Sequence, residues 1–288
     1  MNKSIQFSKK LIKEIKEDRV TGLAAGQAYY YLLALFPLLI LLLSILPYLN
    51  IDIQTALDTI KTFMPAETME VIEKNIINIL SERNGGLLTF GFLGTIWSAS
   101  NGMNAFIHSM NIAYDVEETR NFIKARFISI ILTLGLVVAF IVMLGLPVFG
   151  KVIIELLQQV IPIPEETQIL FSLLRWVIAV VVISLVLAFL YRFAPNKSFP
   201  IKHVIPGAVT ATVLWLGISL GFSFYVSNFA NYSSTYGSLG GVIILMLWLY
   251  LSGLIFVIGG EINAILHRQN SIPKKQSRTI VHPVPLKR

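Results

Sequence analysis

The chain has 288 residues, 55% of them hydrophobic and 14% charged, with a formal net charge of +7 and no cysteine. Its mean hydropathy of +0.71 excludes an ordinary water-soluble domain. The missing cysteines exclude disulfides, thiolate metal sites and a cysteine nucleophile.

The elements follow in chain order. Residues 3–19 carry six Lys or Arg among Phe7, Leu11, Ile12 and Ile15, the pattern of an amphipathic helix lying on an anionic lipid surface. Residues 20–51 are free of Asp, Glu, Lys and Arg, and so are 84–114, 127–150 and 204–260. A single helix over that last run of 57 residues would reach about 86 Å, against a hydrocarbon slab of about 30 Å. It must turn back, and the polar stretch at 228–238 is the place. Six transmembrane helices result, at 23–49, 87–110, 127–149, 169–193, 204–226 and 239–266. The expected fold class is an all-α polytopic membrane protein, one integral domain over 1–268, followed by a disordered basic tail at 269–288. Two further amphipathic helices fit residues 53–64 and 69–80, with Pro65 between them, covering the bundle or lying on the outer membrane surface, or else forming a lid over a cavity between spans.

Eighteen of the 23 Lys and Arg fall on one side of this arrangement. By the positive-inside rule both termini are cytoplasmic. The basic residues form no face interleaved with aromatics, so nucleic acid is not an expected partner. Membrane lipids are, with anionic headgroups at the cytoplasmic face. A second copy of the chain or another envelope protein is a further candidate partner.

Polar groups inside spans are the candidate functional residues, because hydrocarbon penalises them unless something satisfies them. Glu261 stands about 9 Å of helix before His267, and a structural ion pair with Arg192 or Arg19 outweighs a proton-carrying role. Asn263 would brace a helix contact. Arg175, two turns inside the fourth span, snorkels outward or forms an outer anion or headgroup site. In the second span, Gly91, Thr95, Ser98 and Gly102 make a face of small residues, while Ser100, Asn101, Asn104 and His108 either bond to neighbouring helices or line a wet crevice. Gly217 and Gly221 form a GxxxG packing motif. Asp115 and Glu118 read as a capping box rather than a metal site.

No catalytic constellation is visible. The four histidines belong to no H-x-x-x-H or H-E-x-x-H arrangement, and there is neither a G-x-S-x-G elbow nor a phosphate-cradling loop. No enzyme activity, metal or cofactor is expected.

The motifs AAGQAYYYLLALFP (24–37), NIAYDVEETR (111–120), YRFAP (191–195), YGSLG (236–240) and GGEINA (259–264) span nearly the whole chain. Together they resemble the YihY/BrkB family of bacterial inner-membrane proteins, formerly labelled ribonuclease BN. The resemblance implies six membrane helices and no ribonuclease site. It points to Tyr30, Pro37, Arg120, Pro195, Tyr236, Gly237, Glu261 and Asn263 as the matched positions. Ala34 stands where the family often has Ser. The leading expectation is a transporter or flippase-like protein for a lipid or amphiphile, with a path through the second span and a helix break near Pro37. A cation/proton antiporter using Glu261 comes second and a non-transporting envelope scaffold third.

Overall fold

The computed structural model describes residues 3–48, 83–139, 165–229 and 239–271. Those residues form seven α-helices and no strand: α1 (Lys3–Glu17), α2 (Val20–Ile45), α3 (Gly85–Ala113), α4 (Phe122–Ala139), α5 (Glu165–Phe193), α6 (Ile201–Phe229) and α7 (Leu239–Ser271). Four of them, α2, α4, α6 and α7, are long and apolar enough to cross a membrane. α3 has the length, at 29 residues, but its Ser and Asn side chains dilute its apolar character. In α5 the apolar stretch is Val177–Phe193. A six-span arrangement therefore rests on α3 and α5 as well. The expected external helices at 53–80, the turn at 228–238 with Tyr236 and Gly237, and most of the basic tail lie outside the described residues. α7 extends three residues beyond 268.

Exposure follows the logic of a bilayer solvent. The core is small and sits near one end of the bundle, while Phe36, Phe90, Leu93, Val138, Leu185, Leu220 and Phe224 are more than half exposed. Apolar side chains facing outward are satisfied by lipid tails, so the driving force for helix contact passes to close packing and hydrogen bonds. α2 packs mainly on α3, α7 on both α2 and α6, and α5 on α6.

Glycine decides how closely these pairs approach. A Cβ on Gly91 would come within 2.8 Å of the Leu41 backbone, and one on Gly102 within 2.7 Å of the Tyr31 ring. The small face expected on the second span is thus the α2 contact. Pro37 does not interrupt α2, which is helical from Val20 to Ile45. Gly94 lies opposite the Pro37 ring, leaving room for the bulge that the ring makes. The break expected there is corrected. The expected GxxxG contact is not made among the described residues, where a Cβ on Gly217 or Gly221 would meet nothing within 4 Å. The close crossing of α6 and α7 instead uses Gly207 and Gly259.

The chain enters α2, α4 and α6 and leaves α3, α5 and α7 at a common end, here called the basal end. It is the end on which α1 rests, with Ile15 packed against the core.

Candidate functional site

Three groups of polar side chains gather in the basal half of the bundle, and each must be weighed as support or as chemistry.

The first is a knot between the α3–α4 loop and the end of α5. Arg120, 8% exposed at its side chain, donates from Nε to Asn196 Oδ1 at 2.9 Å, and from its terminal nitrogens to the carbonyls of Ala194 (3.2 Å) and Pro195 (2.5 Å). These carbonyls follow the last turn of α5, where no intrahelical donor remains for them. Asn111 Oδ1 accepts from Asn196 N at 2.8 Å, and Asn111 Nδ2 donates to Glu118 Oε2 at 2.7 Å. The expected capping box at Asp115 is therefore wrong. Asp115 takes a left-handed conformation (φ 54°), α4 starts seven residues later, and Asn121 caps it by accepting from Lys124 N at 2.9 Å. Glu118 ties the loop together rather than starting a helix. Arg120 and Pro195 are structural residues in this geometry.

The second group surrounds Glu261. Residues 259, 260 and 261 step around α7 by about 100° each and so meet three different neighbours. Gly259 faces Gly207 and the Tyr191 hydroxyl, and Gly260 faces Met110. Glu261 turns to α1, where its carboxylate meets those of Glu14 and Asp18, the ligating oxygens of all three lying within 4.8 Å of one another. Glu261 is fully buried and neither of its oxygens has a hydrogen-bond donor. The nearby cation is neither Arg192 nor Arg19, as expected from sequence, but Arg268, one of whose terminal nitrogens lies 3.1 Å from Glu14 Oε2 without hydrogen-bond alignment. Arg19 is exposed and left-handed (φ 50°) in the α1–α2 turn, which leaves Asp18 facing inward. Burial raises the Asp18 carboxyl above the ordinary range. Asn263, also fully buried, accepts from Gly207 N at 2.6 Å and braces α6 on α7, as its sequence position suggested.

Beside them stands Tyr114, its ring stacked on Phe199 at 4.2 Å and its hydroxyl facing the Asn263 side chain. Burial raises its ionisation above the usual tyrosine range. A free tyrosine loses its proton near pH 10, so above that pH the folded state holds one proton more than the unfolded state. Stability then falls with rising pH by up to about 1.4 kcal/mol per pH unit. Tyr114→Phe should flatten the decline of Tm between about pH 10 and 11, and at neutral pH should cost no more than about 1 kcal/mol, the worth of one hydrogen bond to Asn263.

The third group lies on α3 and α4. Arg126 donates from Nη1 to Asn101 Oδ1 at 2.5 Å and from Nη2 to the Trp97 carbonyl at 3.0 Å, with its guanidinium 3.7 Å from the Trp97 ring centre. Asn101 is 12 residues before Ala113, so this cation sits about 18 Å along α3 from its basal end. No carboxylate among the described residues pairs with it, and its Nε has no partner. Asn104 and His108 continue the same helix face and are exposed, while Ser98 is half-buried nearby. Tyr30 is 38% exposed and packs edge-to-face on Tyr29. Arg175 falls in α5, where side chains are outside the described set.

A family model described as virulence factor BrkB matches residues 11–280. The chain belongs to the BrkB family. Among its BrkB relatives, a putative ribonuclease-like protein, YfkH of Bacillus subtilis (strain 168), is 44% identical over 269 residues, covering 93% of this chain and 98% of that protein. The UPF0761 membrane protein VP0125 of Vibrio parahaemolyticus is 29% identical over 281 residues, covering 92% and 83%. A UPF0761 membrane protein of Aliivibrio salmonicida is 30% identical over 265 residues, covering 89% and 81%. No solved structure matches the chain. This BrkB chain is a membrane protein with several apolar helices.

Glu261, Asn263 and Asn101 are singled out by the sequence, whereas Glu14, Asp18 and Arg126 are not. Glu14 and Asp18 belong to a basic amphipathic segment that draws attention to its cations. Arg126 counts there only as one of the cytoplasmic cations. A signal for it existed: it stands five residues after Asn121, a preferred helix-capping type, and so inside the following helix.

Proposed function

We propose that this protein carries an amphiphile with an anionic headgroup across the bilayer along the α3 face of Trp97, Asn101, Asn104 and His108. The observation that carries this reading is the half-buried Arg126 guanidinium, held against α3 beside Asn101 and Trp97 by neutral acceptors alone. A cation placed among apolar helices without a counter-charge is costly unless an anion visits it, and a guanidinium fork matches phosphate oxygens. Asn104 and His108 extend the polar path along a face open to the surroundings. An apolar groove of about 450 Å³ between α2 and α7, lined by residues including Ala28, Leu32 and Met246, would accept an acyl chain. Many apolar helix pairs in a bilayer would do the same, so the groove adds little. With both termini cytoplasmic, as the charge distribution argues, the basal end is the cytoplasmic one and the path begins there.

The test is reconstitution in liposomes with labelled phosphatidylglycerol. Arg126→Ala and Asn101→Ala should slow lipid movement about tenfold or more, the kinetic equivalent of one lost charge-assisted contact. Asn104→Leu, an exposed site that does not threaten folding, should also slow it. Unchanged movement in folded Arg126→Ala and Asn104→Leu protein would sink the reading. Cation/proton antiport is the second reading, favoured by the buried Glu261 carboxylate beside Asp18; it requires pH-linked Na⁺ or K⁺ flux that Glu261→Gln abolishes. Absence of both fluxes would leave an envelope scaffold.

A further inference from the structure

The Glu14, Asp18 and Glu261 carboxylates meet at the junction of α1 and α7, 247 residues apart at their furthest in sequence. Each supplies an oxygen, and all three oxygens lie within 4.8 Å of one another. Oxygens bound to one divalent cation at about 2.0–2.6 Å span that same range. Proximity of acids alone would mean little on a solvated surface. The second observation is that Glu261 is fully buried, faces the other two carboxylates and has no amide, hydroxyl or cationic donor on either oxygen, a proton shared with Asp18 being its one alternative to a metal. A buried carboxylate so placed demands positive charge or a donor.

Arg268 does not meet the demand. It lies within ion-pair distance of Glu14 and makes no hydrogen bond to Glu261. Were all three ionised, as metal ligation requires, three carboxylates against one guanidinium would leave two negative charges, which a single divalent ion offsets. Oxygen-only donors select a hard ion of the Ca²⁺ or Mg²⁺ class over zinc or copper. Glu14 and Asp18 are only partly buried, which gives the ion a way in from the basal end. We infer that Glu14, Asp18 and Glu261 form a binding site for a hard divalent cation that fastens α1 onto α7. The site goes beyond the amphiphile reading and does not depend on it, since its readout is metal binding rather than lipid movement.

The experiment is Mn²⁺ titration, followed by electron paramagnetic resonance, of the full chain in phosphatidylcholine nanodiscs, whose zwitterionic lipid keeps headgroup binding low. Near-stoichiometric binding with a Kd of about 10–100 µM is expected, within the span known for carboxylate sites. Asp18→Asn and Glu261→Gln should each weaken it about tenfold or more. Glu17→Gln, an exposed acid one residue from Asp18, should leave it unchanged. Asp18→Asn is the variant least able to confuse folding with binding, because its amide can donate to Glu261 and hold the helices together without metal. Bound Mn²⁺ should also raise the Tm of the wild-type chain and leave that of Asp18→Asn where it was. Binding that survives both substitutions would overturn the site. So would no binding up to millimolar Mn²⁺, which would mean that Asp18 and Glu261 share a proton. Metal binding without cation flux would support the site and sink antiport, so the two can fail separately.

Discussion

Gly207→Ala and Gly259→Ala should each destabilise the purified chain by about 3 kcal/mol or more, at the upper end of what overpacking costs. The added methyl of Gly207→Ala would run into the Gly259 carbonyl and come within 2.5 Å of the Asn263 side chain. That of Gly259→Ala would collide with the Tyr191 hydroxyl and meet the Gly207 carbonyl at 3.0 Å. Backbone cannot step aside as a flexible side-chain tip can, so α6 and α7 must separate. Separation also breaks the Gly207 N to Asn263 bond and the bond from the Tyr191 hydroxyl to the Phe256 carbonyl at 2.8 Å. Gly217→Ala and Gly221→Ala are the matched controls. Both meet open space and should be neutral or stabilising, by up to about 1 kcal/mol from helix propensity. Thermal unfolding of the four variants, read by fluorescence in one detergent, checks the contrast. Equal losses at all four positions would refute the assignment of the crossing.

Arg120→Ala should cost about 3 kcal/mol, the range for removing a well-buried charged donor from several acceptors. The carbonyls of Ala194 and Pro195 would lose their donor at the end of α5, and Asn196 would lose one of the bonds that hold it between the two loops. Arg120→Lys should recover less than half, because one ammonium cannot span acceptors on three successive residues as a planar fork does. Limited proteolysis within 114–121 and 194–200 provides the readout beside Tm. Faster cleavage of both loops in Arg120→Ala is the expected result, and protection of either would mean that the knot is held elsewhere.

The sequence shows that the chain belongs in a membrane and which runs are helical, because apolar length and the lack of charge are local properties. Helix ends were harder to place. Asp115 and Glu118 have the spacing of a capping box, yet a left-handed Asp115 sends the chain into a loop whose bonds reach Asn111 and Asn196, and no local pattern records such partners. Pro37 looked like a break because proline removes a donor, but a helix in a bundle tolerates one where a glycine such as Gly94 makes room. Glu261 stood out from sequence, since a carboxylate among apolar residues is conspicuous. Its company did not. Glu14 and Asp18 sit on a helix whose sequence suggests that it lies on lipid, and only the docking of α1 on α7 puts them beside Glu261. Gly217 and Gly221 had the motif for close packing without the neighbour, whereas Gly207 and Gly259 had the neighbour without the motif.

The docking of α1 and α2 on α7 bears on how the protein is made. Gly253 brings α7 within van der Waals reach of the Ala24 backbone, and Arg268 answers Glu14. The first membrane helix to leave the ribosome therefore has the last one as a partner. During synthesis α2 can settle on α3 early, but the seam that will receive α7 stays open to lipid or to an insertion chaperone until the chain has been made as far as Ser271. A chain released before α7 is complete would keep its other helices and lack the one that joins its beginning to its end. Quality control by membrane proteases would then see an unfilled seam along α2, and the chain would become resistant only when its final helix arrives.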